Sequence, residues 1–251
     1  MKEKAIIAKE EIKTGLIRSG IQENDIVFFH SSLSSLGYVD GGAETVIDAF
    51  LEVVGEGGTV IVPTCVQFVE GHRATVEERR KAWNIHTSPS DMGLITETFR
   101  KRSASYRSDH PCENVCAIGK LAQEITRGHK TAYGRWSPWG ENAYGIGSPW
   151  EKIYQYNAHY LLLGVDYYVC TLFHYAQAIY LEELMRKGGE TLWPEFDFIK
   201  MGRRLEGEGL VRFGNIGEAT VRIMRARTIV DVVLQHLREG YSNSTDSDSI
   251  D

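Results

Sequence analysis

Two histidines, a row of serines and one cysteine are the residues of this sequence whose types and spacing suggest chemistry. His30 closes an aromatic, β-prone run in FFHSSLSSLG, where Ser31, Ser32, Ser34 and Ser35 fill four of the next five positions before Gly37. Small hydroxyls and free backbone N–H groups, with a helix beginning just behind them, suit a diphosphate. Serine clusters in turns are also common, so spacing alone leaves both readings open. His174 lies in TLFHYAQ, and a ring titrating at about pH 6.5 is the natural group to take a proton from a nucleophile. On an aromatic helical face, though, a histidine is more often a satisfied core residue. Cys170 precedes His174 by four positions, so a thiol with its base is a third possibility, against which a buried cysteine is the commoner outcome. No GxSxG elbow presents any of the serines.

The elements that must position these residues read as α/β. Residues 2–19 have an amphipathic helical pattern, and DIVFFHSS at 25–32 is a short strand. GGAETVIDAFLEVVGEGG is a helix with Ala43, Val46, Ile47, Phe50, Leu51 and Val54 at three-to-four spacing, stopped by Gly55. TVIVPT at 59–64 is a second apolar strand, so the unit reads as a parallel pair with a crossover helix. Residues 65–92 read as irregular, MGLITETFRK as helical, and 131–151 as a turn-rich stretch heavy in Trp and Tyr. HYLLLGVD at 159–166 is a buried strand, and TLFHYAQAIYLEELMRKG a helix closed by Gly188. LVRFGNIG supplies another strand and EATVRIMRARTIVDVVLQHLREG a last long helix. The expectation is one domain over 1–240, with a central mixed, largely parallel sheet flanked by helices and a disordered polar tail at 241–251. In such sheets ligands bind beyond the carboxyl ends of strands, where His30 and the serines fall.

Composition narrows the function classes. A hydrophobic share of 42% and a charged share of 25% are those of an ordinary soluble globular protein. A net charge of −6 argues against a nucleic-acid binder with a broad basic face. The basic runs ERRK at 78–81 and FRKRSASYR at 99–107 are local, fit either to receive a small phosphorylated ligand or to form a solvated surface. No run approaches the roughly 18 apolar residues of a membrane span, and the charged N-terminus lacks a secretory core. A cytoplasmic protein with no membrane or nucleic-acid partner is expected. Cys65, Cys112, Cys116 and Cys170 form no CxxC pair and read as small buried thiols, with no metal site expected.

Eight segments occur in a fixed order: HSSLSSLG with its following GG, GTVIVPT, SPSDMGLITETFR, RSDHP, CAIG, GSPWEKIY, LLLG and TLFHYA. Together they resemble the aminoglycoside 3-N-acetyltransferase family over about residues 10–235. The resemblance implies an α/β architecture distinct from the common N-acetyltransferase fold. It also implies transfer of an acetyl group from acetyl-CoA to an aminoglycoside amine, at the 3-amino position, conferring resistance. Ser31, Ser32, Leu33, Ser34, Leu36 and Gly37 would cradle the CoA pyrophosphate, with Arg107, Ser108 and His110 of the RSxHP signature also on the cofactor side. His174 of the TxxH signature would be the catalytic histidine, with Thr171 and His30 close to the acyl-transfer centre and no covalent enzyme intermediate.

The chain departs from the family on the acceptor side. Gln177 stands where the family usually has an acid three positions after the catalytic histidine. Tyr168 and Asn84 stand where carboxylates are often found, and Asn114 replaces a serine after RSxHP. Polycations demand carboxylates, which Asp166, Glu141, Glu182, Glu183, Glu190 or Glu195 would have to supply. These departures keep a second acceptor class open, a different amino sugar, sugar nucleotide or biosynthetic amine. A CoA-binding protein with impaired catalysis is the remaining alternative.

Overall fold

The structure, a computed structural model, describes residues 6–66, 76–188 and 192–240. The first strand, β1 (Ile6–Ile7), leads into α1 (Lys9–Arg18), then β2 (Ile26–Ser31), β3 (Tyr38–Val39), α2 (Gly42–Val54) and β4 (Thr59–Pro63). Next come α3 (Val76–Ala82), α4 (Leu94–Lys101), β5 (Tyr106–Arg107), β6 (Val115–Gly119), α5 (Ala122–Thr126) and α6 (Pro149–Gln155). The chain continues through β7 (His159–Leu163), α7 (Thr171–Arg186), α8 (Phe198–Gly207), β8 (Arg212–Ile216), β9 (Ala219–Arg225) and α9 (Ala226–Arg238).

Seven strands form the central sheet in the order β5-β6-β4-β2-β7-β9-β8. β2 lies between β4 and β7 and is parallel to both, while the four outer pairings are antiparallel. Only β6 and β9 therefore run against the rest, and the expected parallel character is concentrated in the middle three strands. Those strands alternate strictly. Phe28, Ile61, Tyr160 and Leu162 face one core, packed under α5, α6, α7 and α9. Val27, Phe29, Val60, Val62, Leu161 and Leu163 face the other, under α1, α2 and α4. Period-two side chains on a sheet buried on both faces give this three-layer arrangement.

Several elements differ from the sequence reading. The first helix begins only at Lys9, because Ile6 and Ile7 pair as a strand with Tyr38 and Val39. α3 occupies part of the stretch expected to be irregular. The segment expected to be all helix from 218 opens with β9, in which Ala219, Val221 and Ile223 are buried on alternate positions and pair with β7 and β8. α8, absent from the sequence reading, starts at Asp197, whose carboxylate accepts from the Ile199 and Lys200 N–H groups. The tail at 241–251 lies outside the described residues.

Candidate active site

The carboxyl end of β2 sends successive side chains to opposite faces of the sheet, and this divides the site in two. His30 follows Phe28 toward α7; its ring lies 5.0 Å from that of Phe28. Ser31 points the other way, toward α2 and α4. β2 is central and flanked on both sides by parallel strands, so its end opens where β4 and β7 also end.

On the serine side lies a cleft of about 790 Å³. One wall is Ser31, Ser32, Leu33, Ser34 and Gly37, continuing to Tyr38, Val39 and Gly42; the other is Asp91 to Ile95. Two helices begin at its edges without a side-chain cap, α2 after Gly41 at φ 74° and α4 after Gly93 at φ 110°. Their first N–H groups and dipoles bias the cleft toward an anion. Ser32 Oγ lies 3.1 Å from Ser34 Oγ and 2.9 Å from Ser35 Oγ, and Ser35 donates to the Gly164 carbonyl. Ser31 Oγ is buried without a hydrogen-bond partner among the described residues. An orphan hydroxyl and two glycine-capped helix ends are what a phosphorylated cofactor arm would satisfy. Leu36 is fully buried in the core behind the loop and anchors it from below.

On the histidine side is a second cavity of about 330 Å³, lined by Cys65, Val66, Arg79, Met92, Cys112, Glu113, Trp139, Tyr168, Val169, Thr171 and His174. Met92, Tyr168 and Val169 line both spaces, so the cavity and the cleft are neighbours there. His174 is on the first turn of α7, against Trp139 at 4.6 Å and Phe198 at 4.9 Å between ring centroids. Its tautomer follows from its neighbours. Gln177 Nε2 donates to the Pro194 carbonyl, 2.5 Å away, which can only accept, so Gln177 Oε1 must face the imidazole. His174 Nδ1, 2.7 Å from that oxygen, is then the protonated nitrogen, and Nε2 keeps its lone pair. Burial holds the ring's pKa down at about 4, against a smaller raising effect of the Gln177 bond, so it is neutral at physiological pH.

His30 is buried and does not line the cavity. Its Nε2 lies 2.7 Å from Tyr160 Oη and 3.4 Å from Thr171 Oγ1. Tyr160 Oη also accepts the Thr171 N–H at 3.0 Å. One phenol thus fastens β2, β7 and the start of α7 together, and His30 reaches the cavity only through the Thr171 hydroxyl. With its pKa lowered to about 3 by burial, it stays neutral. Tyr160 escaped the sequence reading, where it was one apolar strand residue among several.

The RSxHP residues Arg107, Ser108 and His110 line neither the serine-lined cleft nor the His174 cavity. The Arg107 guanidinium stacks on Trp83 at 4.4 Å and donates to the carbonyls of Thr64 (2.7 Å) and Ser88 (2.5 Å) and to Asn114 Oδ1 (2.9 Å), bracing the loop that carries the far wall of the cleft. Ser108 Oγ accepts the Val115 N–H and donates to His129 Nδ1, whose ring stacks on His110 at 4.7 Å. His110 Nδ1 accepts the backbone N–H groups of Cys112 and Glu113 at 3.1 and 2.9 Å. Ser108 and His110 are fully buried.

The expected compensating carboxylates are also elsewhere. Asp166 caps Tyr167 N–H, Glu182 pairs with Arg135 and Arg186, and Glu183 with Arg238. Glu141 and Glu195 do not line the cavity, and Glu190 lies outside the described residues. The cations of 99–107 are likewise engaged, Arg100 and Lys101 with Glu97, Arg102 with Asp48 and Glu44. Cys170 caps α7, and burial pushes its thiol up to about 12, far from a thiolate. All four cysteines are free, and no group of three or more His, Cys, Asp or Glu among the described residues could hold a metal ion. No helix among them is long and apolar enough to cross a membrane.

The sequence model of a family described as aminoglycoside 3-N-acetyltransferase matches residues 28–238. An aminoglycoside N(3')-acetyltransferase-like protein, YokD, of Bacillus subtilis is 31% identical, covering 89% of each chain. Its crystal structure superimposes with a TM-score of 0.76 over 98% of this chain and 97% of that one. Aminoglycoside N(3)-acetyltransferase VII of Streptomyces paromomycinus is 28% identical over 93% of this chain and 92% of its own. A structure described as AAC-IIIb binary with CoASH shares the fold at a TM-score of 0.77 and 21% identity, covering 95% of this chain and 99% of that one.

Proposed function

Because this chain belongs to the aminoglycoside 3-N-acetyltransferase family, we propose that its neighbouring cleft and cavity carry out acetyl transfer from acetyl-CoA to an amine of an aminoglycoside. The donor supplies an activated acetyl thioester. The serine-lined cleft suits its phosphorylated arm: Ser31, Ser32, Ser34 and the N-terminal N–H groups of α2 and α4 are the groups that would hold it.

The observation that carries the reading is the state of His174. An ammonium has no lone pair, so the acceptor must give up one proton before its nitrogen attacks the thioester carbonyl; the second proton is lost as the C–S bond breaks, and CoA leaves as the thiol. Gln177 fixes the Nδ1–H tautomer, leaving Nε2 as the basic nitrogen, on a ring that lines a cavity sharing Met92, Tyr168 and Val169 with the serine-lined cleft. Thr171, held by its N–H bond to Tyr160 Oη, carries a hydroxyl 3.4 Å from His30 Nε2 that donates at 3.4 Å to the Val169 carbonyl; turned from that long bond, it is the donor for the thioester oxygen as charge builds on it. Trp139 and Tyr168 offer aromatic surface to a sugar ring. The reaction modifies the drug where acetyl-CoA is made, which fits a cytoplasmic protein with reduced thiols.

The test is thiol release from acetyl-CoA with a panel of aminoglycosides and simpler amines. The wild type should release thiol with at least one of them. His174→Ala should lose at least about 100-fold in kcat, with CoA binding unchanged by calorimetry. Turnover equal to wild type would remove His174 as the base.

A further inference from the structure

Glu113 belongs neither to the expected catalytic set nor to the expected compensating carboxylates, yet its residue lines the His174 cavity. It is only 9% exposed, and the backbone on both sides of its Cα is held. Its N–H donates to His110 Nδ1 at 2.9 Å, and its carbonyl accepts from Trp150 Nε1 at 3.0 Å. Both partners are fully buried. His110 is in turn stacked on His129, which Ser108 fixes. The RSDHP segment therefore works as a rigid bracket whose product is the position of one acidic side chain. Tyr144, the aromatic neighbour of Trp139 and His174, lies beside the Glu113 carboxyl, and Arg79 exerts an electrostatic pull on it.

We propose that Glu113 is the acceptor-recognition carboxylate of this enzyme, binding the ammonium of the incoming amine and presenting it to His174 Nε2. This rests on the transferase reading above. A group held on both sides by buried rings meets the requirement that a recognition residue be preorganised. Position 177, three residues after the base, carries a neutral amide whose oxygen faces His174 and whose nitrogen donates to the Pro194 carbonyl. The negative charge of the cavity thus comes from a loop instead of from α7. Trp139 and Tyr168, which line the same space, add aromatic faces to the same cation. Burial raises the Glu113 pKa to about 7, and an ammonium partner would draw the side chain back to its ionised form. The recognised class is a small molecule presenting at least one alkylammonium; a neutral hydroxyl in its place could donate one hydrogen bond but would supply no counter-charge.

The experiment is steady-state thiol release, varying acceptor and acetyl-CoA separately, for wild type, Glu113→Gln and Glu113→Asp, with melting curves for each. Loss of one charge-assisted hydrogen bond should raise the acceptor KM of Glu113→Gln by about 10- to 100-fold. The acetyl-CoA KM should stay within about twofold, and Glu113→Asp should fall between the other two. Should Glu113→Gln show no native melting transition, the isosteric pair Glu113→Asp and Glu113→Asn gives the same charge comparison. An acceptor KM that ignores the charge in either pair, or rises equally for both substrates, overturns the inference. A wild type that releases no thiol with any amine overturns the transferase reading instead, so the two failures are distinguishable.

Discussion

Replacing Gln177 with Glu tests how His174 is tuned. The present bond is between neutral partners, Nδ1–H to an amide oxygen at 2.7 Å, and the ring's pKa lies at about 4. A carboxylate at the same place sits within the range at which an opposite charge moves a pKa by about 1–3 units. The imidazolium of Gln177→Glu should therefore titrate between about 5 and 7. A base works only when unprotonated, so the acid limb of kcat moves upward by at least about one pH unit. A stronger base should also lift the plateau, by about 3- to 30-fold. There is a structural cost. The amide N–H that bonds the Pro194 carbonyl is lost and two acceptors face each other, worth about 1–3 kcal/mol, or a drop in Tm of roughly 2–10 °C for a chain this long. The assay is thiol release at saturating acceptor and donor, read seconds after dilution from neutral stock into buffers spanning about pH 4–9. A lowered Tm with an unmoved acid limb would refute the assignment of Gln177 Oε1 to His174 Nδ1, and with it the free Nε2.

Acid should unfold this protein early. His30, His110 and His174 are kept neutral by burial, at about 3, 4 and 4, while unfolded histidines take up protons at about 6.5. Stability is thus complete above about pH 6.5 and lost as pH falls toward the folded values, up to on the order of 10 kcal/mol, comparable with the whole of a typical stability. Glu113, raised to about 7, works in the opposite sense, its contribution present below about pH 4.5 and lost as pH rises through 7, but it is one group against three. A Tm that stays flat between about pH 6.5 and 4.5 would show the rings to be accessible. Separately, Ser34→Phe should crowd the donor cleft and raise the acetyl-CoA KM by about tenfold or more, leaving the acceptor KM near wild type; equal effects on both substrates would place the acceptor in that cleft.

The middle of the fold was legible because its patterns are local. Phe28, Ile61 and Leu162 belong to short apolar runs bounded by glycine or proline, and Gly55 ends α2 at φ 64°. β9 was not, since its alternating Ala219, Val221 and Ile223 run without a turn residue into the apolar positions of α9. Only pairing with β7 and β8 decides the period there. The site divides in the same way. The candidates His174, Thr171 and the serine loop could be named from their motifs. Tyr160 and Glu113 could not, for their roles come from side chains that meet across the fold, 130 residues apart in the case of Tyr160 and His30. The Glu following HPC in the sequence was the one available signal, an acid next to a rigid dipeptide.

The wall proposed to hold the donor is a tight serine loop set between two helix ends opened by Gly41 and Gly93. The opposite chamber is shaped by protruding groups at 79, 113 and 139, none of which lines the cleft. Substitutions at those three positions change the chamber without altering a residue that lines the cleft. A lineage built this way can drift from one amine to another, drug or metabolite, without ever renegotiating its source of acetyl groups.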